Sequence, residues 1–311
     1  MTPGVLILTG QTASGKSALA LQLAERFDAE IVGADSRQIY RGMPIGTAAP
    51  SAEQRARVAH HLIGFLDPGE RYSAARFVAD ALTAIDDIHA RGKRAIVAGG
   101  TGFYVRALSG DVALSPAYDP ALRDRLAHEA RVHPPDVLAD WLRAVAPARA
   151  AAIERNDPYR VARALEIALS ERAGGRRTFA GDAASGDAGA QSLRSRGIPA
   201  RKLFLEVAAD ELDQRIAARV EAMLAAGLVD EAERIGASAV AADAVGYREA
   251  LAFGAGWSTY AELRAQLTRT TRRYAKRQAT WFRSEPDLVR IPAADALVAA
   301  VREAGALAGW A

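Results

Sequence analysis

The chain has 311 residues, half of them hydrophobic and a quarter charged, with a formal net charge of only +3 at pH 7. That length allows a main domain plus an insertion, and the balance excludes a disordered or collagen-like chain, while no apolar run approaches a membrane span. The absence of cysteine excludes disulfides and thiolate metal sites and fits a reducing cytoplasm. Met1-Thr2-Pro3-Gly4 lacks a charged leader region and is not read as a secretion signal, so a cytoplasmic location and no membrane partner are expected.

Residues 5–8 form an apolar run that reads as a buried strand. It leads into Gly10, Gln11, Thr12, Ala13, Ser14, Gly15, Lys16 and Ser17, and residues 18–24 continue as a helix. Strand, G-x-x-x-x-G-K-[ST], helix is the context of a phosphate-binding P-loop. Gly10 and Gly15 admit backbone conformations that a side chain would block. The loop N–H groups and the helix N-terminus then favour an anion. Lys16 adds a full charge, and Ser17 offers a hydroxyl to a bound Mg2+. What the phosphate is attached to is left open by the loop itself.

Residues 30–34 read as a second buried strand, ending in Asp35, Ser36, Arg37 and Gln38. In open α/β sheets the ligand sits beyond the carboxyl ends of the strands, so Asp35 is placed to face whatever Lys16 holds; a turn-capping aspartate is the plain alternative. A loop and a polar helix to about Val58 follow. His60 and His61 have no carboxylate or cysteine at ligand spacing, and no metal site is expected there. Ser73 reads as an N-cap for a helix whose face is Phe77, Ala81, Ile85 and Ile88, stopping at Gly92. Residues 95–98 form a third strand, opening into Gly99, Gly100, Thr101 and Gly102. Thr101 thus shares the sheet rim with Asp35 and the P-loop. Three short apolar strands separated by helices predict an α/β fold with a doubly wound parallel sheet.

The character changes near Ser115. Asp119-Pro120 and Asp157-Pro158 each place an N-cap before a proline at the first helical position, and residues 119–172 read as nearly all helix. Residues 173–200 are poor in apolar side chains and read as a flexible segment. A fourth strand at 202–207 shows the sheet resuming. The division is therefore 1–114 with 202–311 as the core and 115–201 as a helical insertion. Asp210 reads as the cap of a helix with Leu212, Ile216 and Val220 inward. Thr259 and Glu262 form a capping box for a long helix to about Arg283. On its wheel, Leu263, Leu267, Thr270, Tyr274 and Trp281 share one arc, while Arg269, Arg272, Arg273, Lys276 and Arg283 share another. No acidic residue interrupts that helix between Glu262 and Glu285. Such a stripe beside aromatic residues points to a polyanion.

Two uses of the loop compete. A kinase would hold ATP there and pass on its terminal phosphoryl group. A transferase would hold the diphosphate of an alkyl diphosphate and stabilise the charge that grows on it as the bond to carbon breaks. Asp35 and Thr101 on the same rim suit the second, and the basic helix suits a nucleic-acid acceptor.

The chain resembles the tRNA dimethylallyltransferases, also called tRNA isopentenyltransferases. The resemblance is carried by the loop from Gly10 to Ser17, by Asp35-Ser36-Arg37-Gln38-Ile39-Tyr40-Arg41-Gly42-Met43 with Ile45-Gly46-Thr47, and by Gly99-Gly100-Thr101-Gly102-Phe103-Tyr104. Further blocks are Asn156-Asp157-Pro158-Tyr159-Arg160 with Arg163-Ala164-Leu165-Glu166, Gly246-Tyr247-Arg248-Glu249, and Lys276-Arg277-Gln278 with Trp281-Phe282-Arg283. They come in the family's order and span most of the chain. The resemblance implies a P-loop NTPase-like core with helices on both faces of the sheet and an inserted all-helical domain that grips the anticodon stem-loop. It implies transfer of the dimethylallyl group of dimethylallyl diphosphate to N6 of adenosine 37, in tRNAs reading codons that begin with U, by a monomer using Mg2+. Asp35 matches the family's general base, and Thr101 the threonine that positions the reacting groups. Gly10 to Ser17 match the diphosphate cradle, with Ser17 on the metal. The tRNA contacts implied are Asp35, Ser36, Arg37, Gln38, Thr101 and Arg123; Tyr159, Arg160, Val161, Ala162 and Arg163; Asp243, Ala244, Val245, Gly246, Tyr247 and Arg248; and Lys276, Arg277, Gln278, Ala279, Thr280, Trp281, Phe282 and Arg283. An adenine in a structured loop must be flipped out to reach such a site, and single-stranded loops permit this cheaply. The family usually has proline where Gln11 stands, the segment 173–200 is longer than its pattern, and no cysteine-histidine finger follows. Neighbouring alternatives are an adenylate isopentenyltransferase, a P-loop small-molecule kinase and a non-catalytic RNA-binding P-loop module.

Overall fold

The computed structural model describes residues 3–112, 114, 120–155, 157–172 and 191–310. Strands β1 (Val5–Gly10), β2 (Ala29–Gly33), β3 (His60–His61), β4 (Arg94–Ala98), β5 (Ala200–Glu206) and β6 (Leu288–Pro292) form one sheet in the order β3-β2-β4-β1-β5-β6. Every pairing is parallel. β1 is central and wholly buried, which is why its sequence is a continuous apolar run rather than an alternating one. Leu6 and Leu8 join Leu19, Leu23, Ile96, Leu203 and Trp310 in one core cluster. Val5 and Ile7, also fully buried, point to the opposite face, so helices cover the sheet on both sides. β3 and β6 are not legible as strands in the sequence. β3 has two residues, and β6 is an edge strand with one buried position.

The register sets the rim. Leu8 lies opposite Ala98 of β4, and Gly33 of β2 lies opposite the same Ala98. The carboxyl ends of β2, β4 and β1 therefore open side by side, carrying Asp35, Thr101 and the P-loop respectively. Local signals hold where the chain is capped. Ser73 accepts a hydrogen bond from the Arg76 N–H, and Phe77, Ala81, Ile85 and Ile88 are buried along the helix Ala74–Ala90. Thr259 and Glu262 make both bonds of their capping box at the start of the helix Tyr260–Arg283. Asp210 is not a cap: the helix Ala209–Ala225 has Ala208 at its N-cap. Asp210 sits in the first turn, where a carboxylate still suits the positive end of the helix.

By contacts the chain divides into two compact units, residues 1–112 with 191–311, and residues 113–190. The second is built from the helices Pro120–Val132, Pro135–Val145, Pro147–Ala151 and Pro158–Arg172. They pack around Leu126, Leu138, Leu142, Val161 and Leu165. The Asp157 carboxylate accepts from the Arg160 N–H at 3.0 Å, which caps the last of these helices as its sequence predicts. Of the segment read as flexible, residues 173–190 lie outside the described residues. Residues 191–200 are not loose: Ser192, Leu193 and Ile198 are buried, and the Leu193 N–H bonds the Leu108 carbonyl at 2.8 Å. Beside them the buried Lys202 ammonium donates to Asp111 at 2.7 Å and to Glu285 at 2.8 Å.

Candidate active site

The P-loop is shaped by its own backbone. Gly15 has φ 95° and Ala13 has φ 63°, and the Ser14 N–H closes a turn onto the Gln11 carbonyl at 3.2 Å. Gly15 in that region is unstrained, whereas Ala13 carries a steric cost that a ligand cradle commonly retains. A Cβ on Gly10 would stand 2.8 Å from Ser14 Oγ. That hydroxyl is buried and has no hydrogen-bond partner. Lys16 Nζ rests on the Gln11 carbonyl at 3.3 Å. Arg215 braces the loop from outside by donating to the Ser14 carbonyl at 2.8 Å.

Asp35 and Thr101 meet through Ser36. Asp35 Oδ1 accepts from the Arg37 N–H at 2.9 Å and the Gln38 N–H at 3.4 Å. These bonds make the turn expected of a loop aspartate, and they orient the carboxylate without using Oδ2. Thr101 Oγ1 accepts from the Ser36 N–H at 3.0 Å, and the Thr101 N–H bonds the Ala34 carbonyl at 3.2 Å. The two rim turns are thus tied together. Gln38 donates its side-chain amide to the Thr47 and Ala48 carbonyls.

The P-loop and the Asp35–Gln38 turn line a cleft of about 260 Å3 that holds Lys16, Ser17, Asp35, Arg219, Tyr274 and Arg277 among its walls, while Thr101 stands behind the lining and acts on it through Ser36. Arg219 is not singled out by the sequence. It lies on the same stripe as Leu212, Ile216 and Val220, and a cation inside an apolar stripe was the available signal. Burial, and after it the Arg219 charge, lower the Lys16 pKa to about 8 against the opposing pull of Asp35. A diphosphate monoester in the cradle would restore the cationic form. Binding of a diphosphate there should therefore take up a proton above about pH 8 and none well below it, and affinity should fall as pH rises through that value. Calorimetry in two buffers of different ionisation enthalpy reads this directly; no proton uptake at about pH 9 would remove Lys16 from the cradle.

The second wall is held by a buried carboxylate. Glu231 is fully buried and accepts from the Ile45 N–H at 2.9 Å, the Gly46 N–H at 2.7 Å and the Tyr247 hydroxyl at 2.7 Å. A Cβ on Gly46 would meet the Tyr247 ring at 2.5 Å. Glycine at 46 is required for that close approach, which explains why Gly46 and Tyr247 stand in separate sequence blocks yet form one contact.

The sequence model of the IPP transferase family matches residues 38–285. The chain belongs to the IPP transferase family. It is similar to a tRNA dimethylallyltransferase of Anaeromyxobacter dehalogenans, at 46% identity over 92% of this chain and 94% of that protein. Among solved structures it is similar to a full-length tRNA isopentenylpyrophosphate transferase of Bacillus halodurans, at 33% identity with a TM-score of 0.67, covering 97% of this chain and 96% of that one. It is also similar to a eukaryotic dimethylallyltransferase caught acting on tRNA, at 26% identity with a TM-score of 0.72, covering 93% of this chain and 73% of that one.

Within this IPP transferase the residues implied as tRNA contacts sort by burial. Exposed and available are Tyr159, Arg160, Asp243, Arg248, Lys276, Arg277, Thr280 and Arg283. Asp35, Ser36, Arg37, Gln38, Thr101, Arg123, Ala162, Arg163, Val245, Ala279 and Trp281 are half-buried. The side chains of Val161, Tyr247, Gln278 and Phe282 are buried, Gln278 in the wall of the cleft. Ala244 and Gly246 are buried as well. Val161 belongs to the core of the inserted unit, and Phe282 packs on Phe204. Arg123 is bound twice to the buried Glu166 carboxylate, at 3.0 and 2.8 Å, and Arg163 donates to the same group. Arg37 pairs with Asp243 at 2.7 Å. The basic stripe is also narrower than its sequence predicts, because Arg272 is paired at 2.9 Å with Asp213 of the helix Ala209–Ala225. Among the described residues, Arg269, Arg273, Lys276 and Arg283 have no carboxylate partner and remain as the uncompensated face.

Proposed function

We propose that the protein transfers the dimethylallyl group of dimethylallyl diphosphate to N6 of adenosine 37 in tRNAs reading codons that begin with U, releasing diphosphate. Family membership gives the reaction class, tRNA prenylation; the atom, the position and the tRNA subset are the proposal. The observation that carries it is that a P-loop lysine and a turn-fixed carboxylate line one cleft. In the proposed reaction the N6 lone pair forms the bond to C1 of the donor, the C1–O electrons leave with the diphosphate, and the N6 proton passes to Asp35. An aromatic amine is a weak base that becomes acidic as the new bond forms, so a positioned carboxylate suffices. The loop N–H groups, Lys16 and Arg219 stabilise the charge that develops on the leaving group.

Mg2+ fits the donor set. Among the described residues no group of three or more His, Cys, Asp or Glu side chains could hold a metal ion. Ser17 lines the cleft, and Mg2+ is commonly held by one or two protein oxygens together with phosphate oxygens and water. When bound, the ion would neutralise charge on the diphosphate. The anticodon stem-loop would lie against the uncompensated face of Arg269, Arg273, Lys276 and Arg283, whose phosphate contacts make binding salt-dependent.

The acceptor separates this reading from its neighbours. With dimethylallyl diphosphate and Mg2+ supplied, diphosphate release should require unmodified tRNA, and AMP should not replace it. Release with AMP alone would make the protein an adenylate isopentenyltransferase, and phosphoryl transfer from ATP would make it a kinase.

A further inference from the structure

Gln278 lies within a segment that the sequence assigns to tRNA, yet its side chain is buried and turned inward. Its Oε1 accepts from the Thr12 N–H at 2.7 Å, inside the P-loop. Its Nε2 donates to the Gly100 carbonyl at 3.1 Å, in the turn that carries Thr101. A Cβ on Gly100 would stand 2.2 Å from that nitrogen, so the glycine is what lets the amide dock. One helical turn earlier, the Ala275 carbonyl accepts from Gln11 Nε2 at 3.1 Å. Two independent hydrogen bonds therefore fasten the helix Tyr260–Arg283 to the P-loop, and one fastens it to the neighbouring turn. From that turn the connection continues: Thr101 Oγ1 holds the Ser36 N–H, next to Asp35.

An amide is needed in this place. The P-loop side presents a donor and the Gly100 side an acceptor, and a side-chain amide supplies the complementary acceptor and donor on one rigid plane. Both bonds are buried, where an unmatched group costs more than the bond contributes. A displacement of about 1 Å between the bound donor and the carboxylate that takes the proton of the attacking amine is enough to lower the rate substantially.

On the reading that this cleft performs prenyl transfer, we propose that Gln278, which stands in the wall of the cleft, is a positioning residue that sets the distance between the diphosphate cradle and the Asp35–Ser36 turn rather than a source of tRNA affinity. It acts through Thr12 on one side and through Gly100 and Thr101 on the other. Lys276, Arg277 and Thr280 on the exposed flank of the same helix carry the tRNA contact, so the helix that meets the acceptor also fixes the donor loop.

Gln278→Met keeps the length and removes both hydrogen bonds. It should lower kcat by about 10–100-fold, weaken binding of inorganic diphosphate with Mg2+ several-fold through the lost preorganisation of the loop, and leave tRNA Kd unchanged. Gln278→Glu keeps the acceptor for Thr12, but its ionised form faces the Gly100 carbonyl with no proton to donate. Its kcat relative to the unaltered protein should rise as pH falls, because the protonated acid restores the donor. A weaker tRNA Kd with kcat at saturation preserved would overturn the proposal and return Gln278 to the tRNA surface. Equal kcat, or a Gln278→Glu ratio that does not change with pH, would also overturn it. The diphosphate titration stands apart from prenyl transfer: failure of the unaltered protein to prenylate tRNA would sink the functional reading, whereas unchanged diphosphate affinity in Gln278→Met would sink the link to the P-loop.

Discussion

Asp35→Asn is expected to lower turnover by about 10²–10⁴-fold, the range for losing a positioned general base, with tRNA affinity unchanged. Asparagine is the informative replacement because Asp35 Oδ1 holds the Arg37 and Gln38 N–H groups, and an amide oxygen accepts those bonds equally. The turn therefore survives, along with the Ser36 N–H bond to Thr101, while the basic oxygen is gone. Asp35→Ala loses both functions and would confound them. Single-turnover rates with saturating tRNA and donor, beside a separate tRNA titration, give the two readouts. Normal turnover with weakened tRNA binding would show that Asp35 is a contact residue rather than the base.

Arg219→Gln should be the second large effect, lowering kcat/KM for dimethylallyl diphosphate by about 10²–10³-fold, as removal of a preorganised charge does at other leaving groups. Burial is the main cause that depresses the Arg219 pKa, with Asp35 opposing it. Its charge is therefore held in the cleft against a loss of solvation, and its removal should not lower the unfolding midpoint. The substitution also carries an internal check. Arg219 is the charge that lowers the Lys16 pKa after burial, so the pH above which donor binding takes up a proton should move upward in Arg219→Gln. A large kinetic loss with no such movement would place Arg219 outside the range of Lys16.

What was legible in the sequence follows a physical line. The P-loop, Asp35 and Thr101 could be placed because each ends a continuous apolar strand, and parallel strands deliver their carboxyl ends to one rim. The helix capped by Thr259 could be placed because its capping box is local. Contacts between elements were not legible. Gln278 and Tyr247 stand in polar blocks and read as surface, but their partners, Thr12, Gly100 and Glu231, are far away in the chain. Arg272 read as unpaired because Asp213 belongs to another helix. Arg219 hid in an apolar stripe because periodicity counts the neighbours of a charge and not the cavity it faces. Electrostatic pairing and burial are properties of the fold, and the two observations with the greatest consequence, at Gln278 and Arg219, are of that kind.

In the proposed reaction one cleft holds both a diphosphate that leaves and a carboxylate that accepts the proton of an adenine amine. The most direct test incubates the protein with dimethylallyl diphosphate, Mg2+ and unmodified tRNA reading codons that begin with U, then digests the tRNA and sequences the fragments by mass. The expected product gains one five-carbon C5H8 unit on adenosine 37 and on no other nucleotide. An unmodified anticodon loop, or a phosphorylated one, would contradict that mechanism.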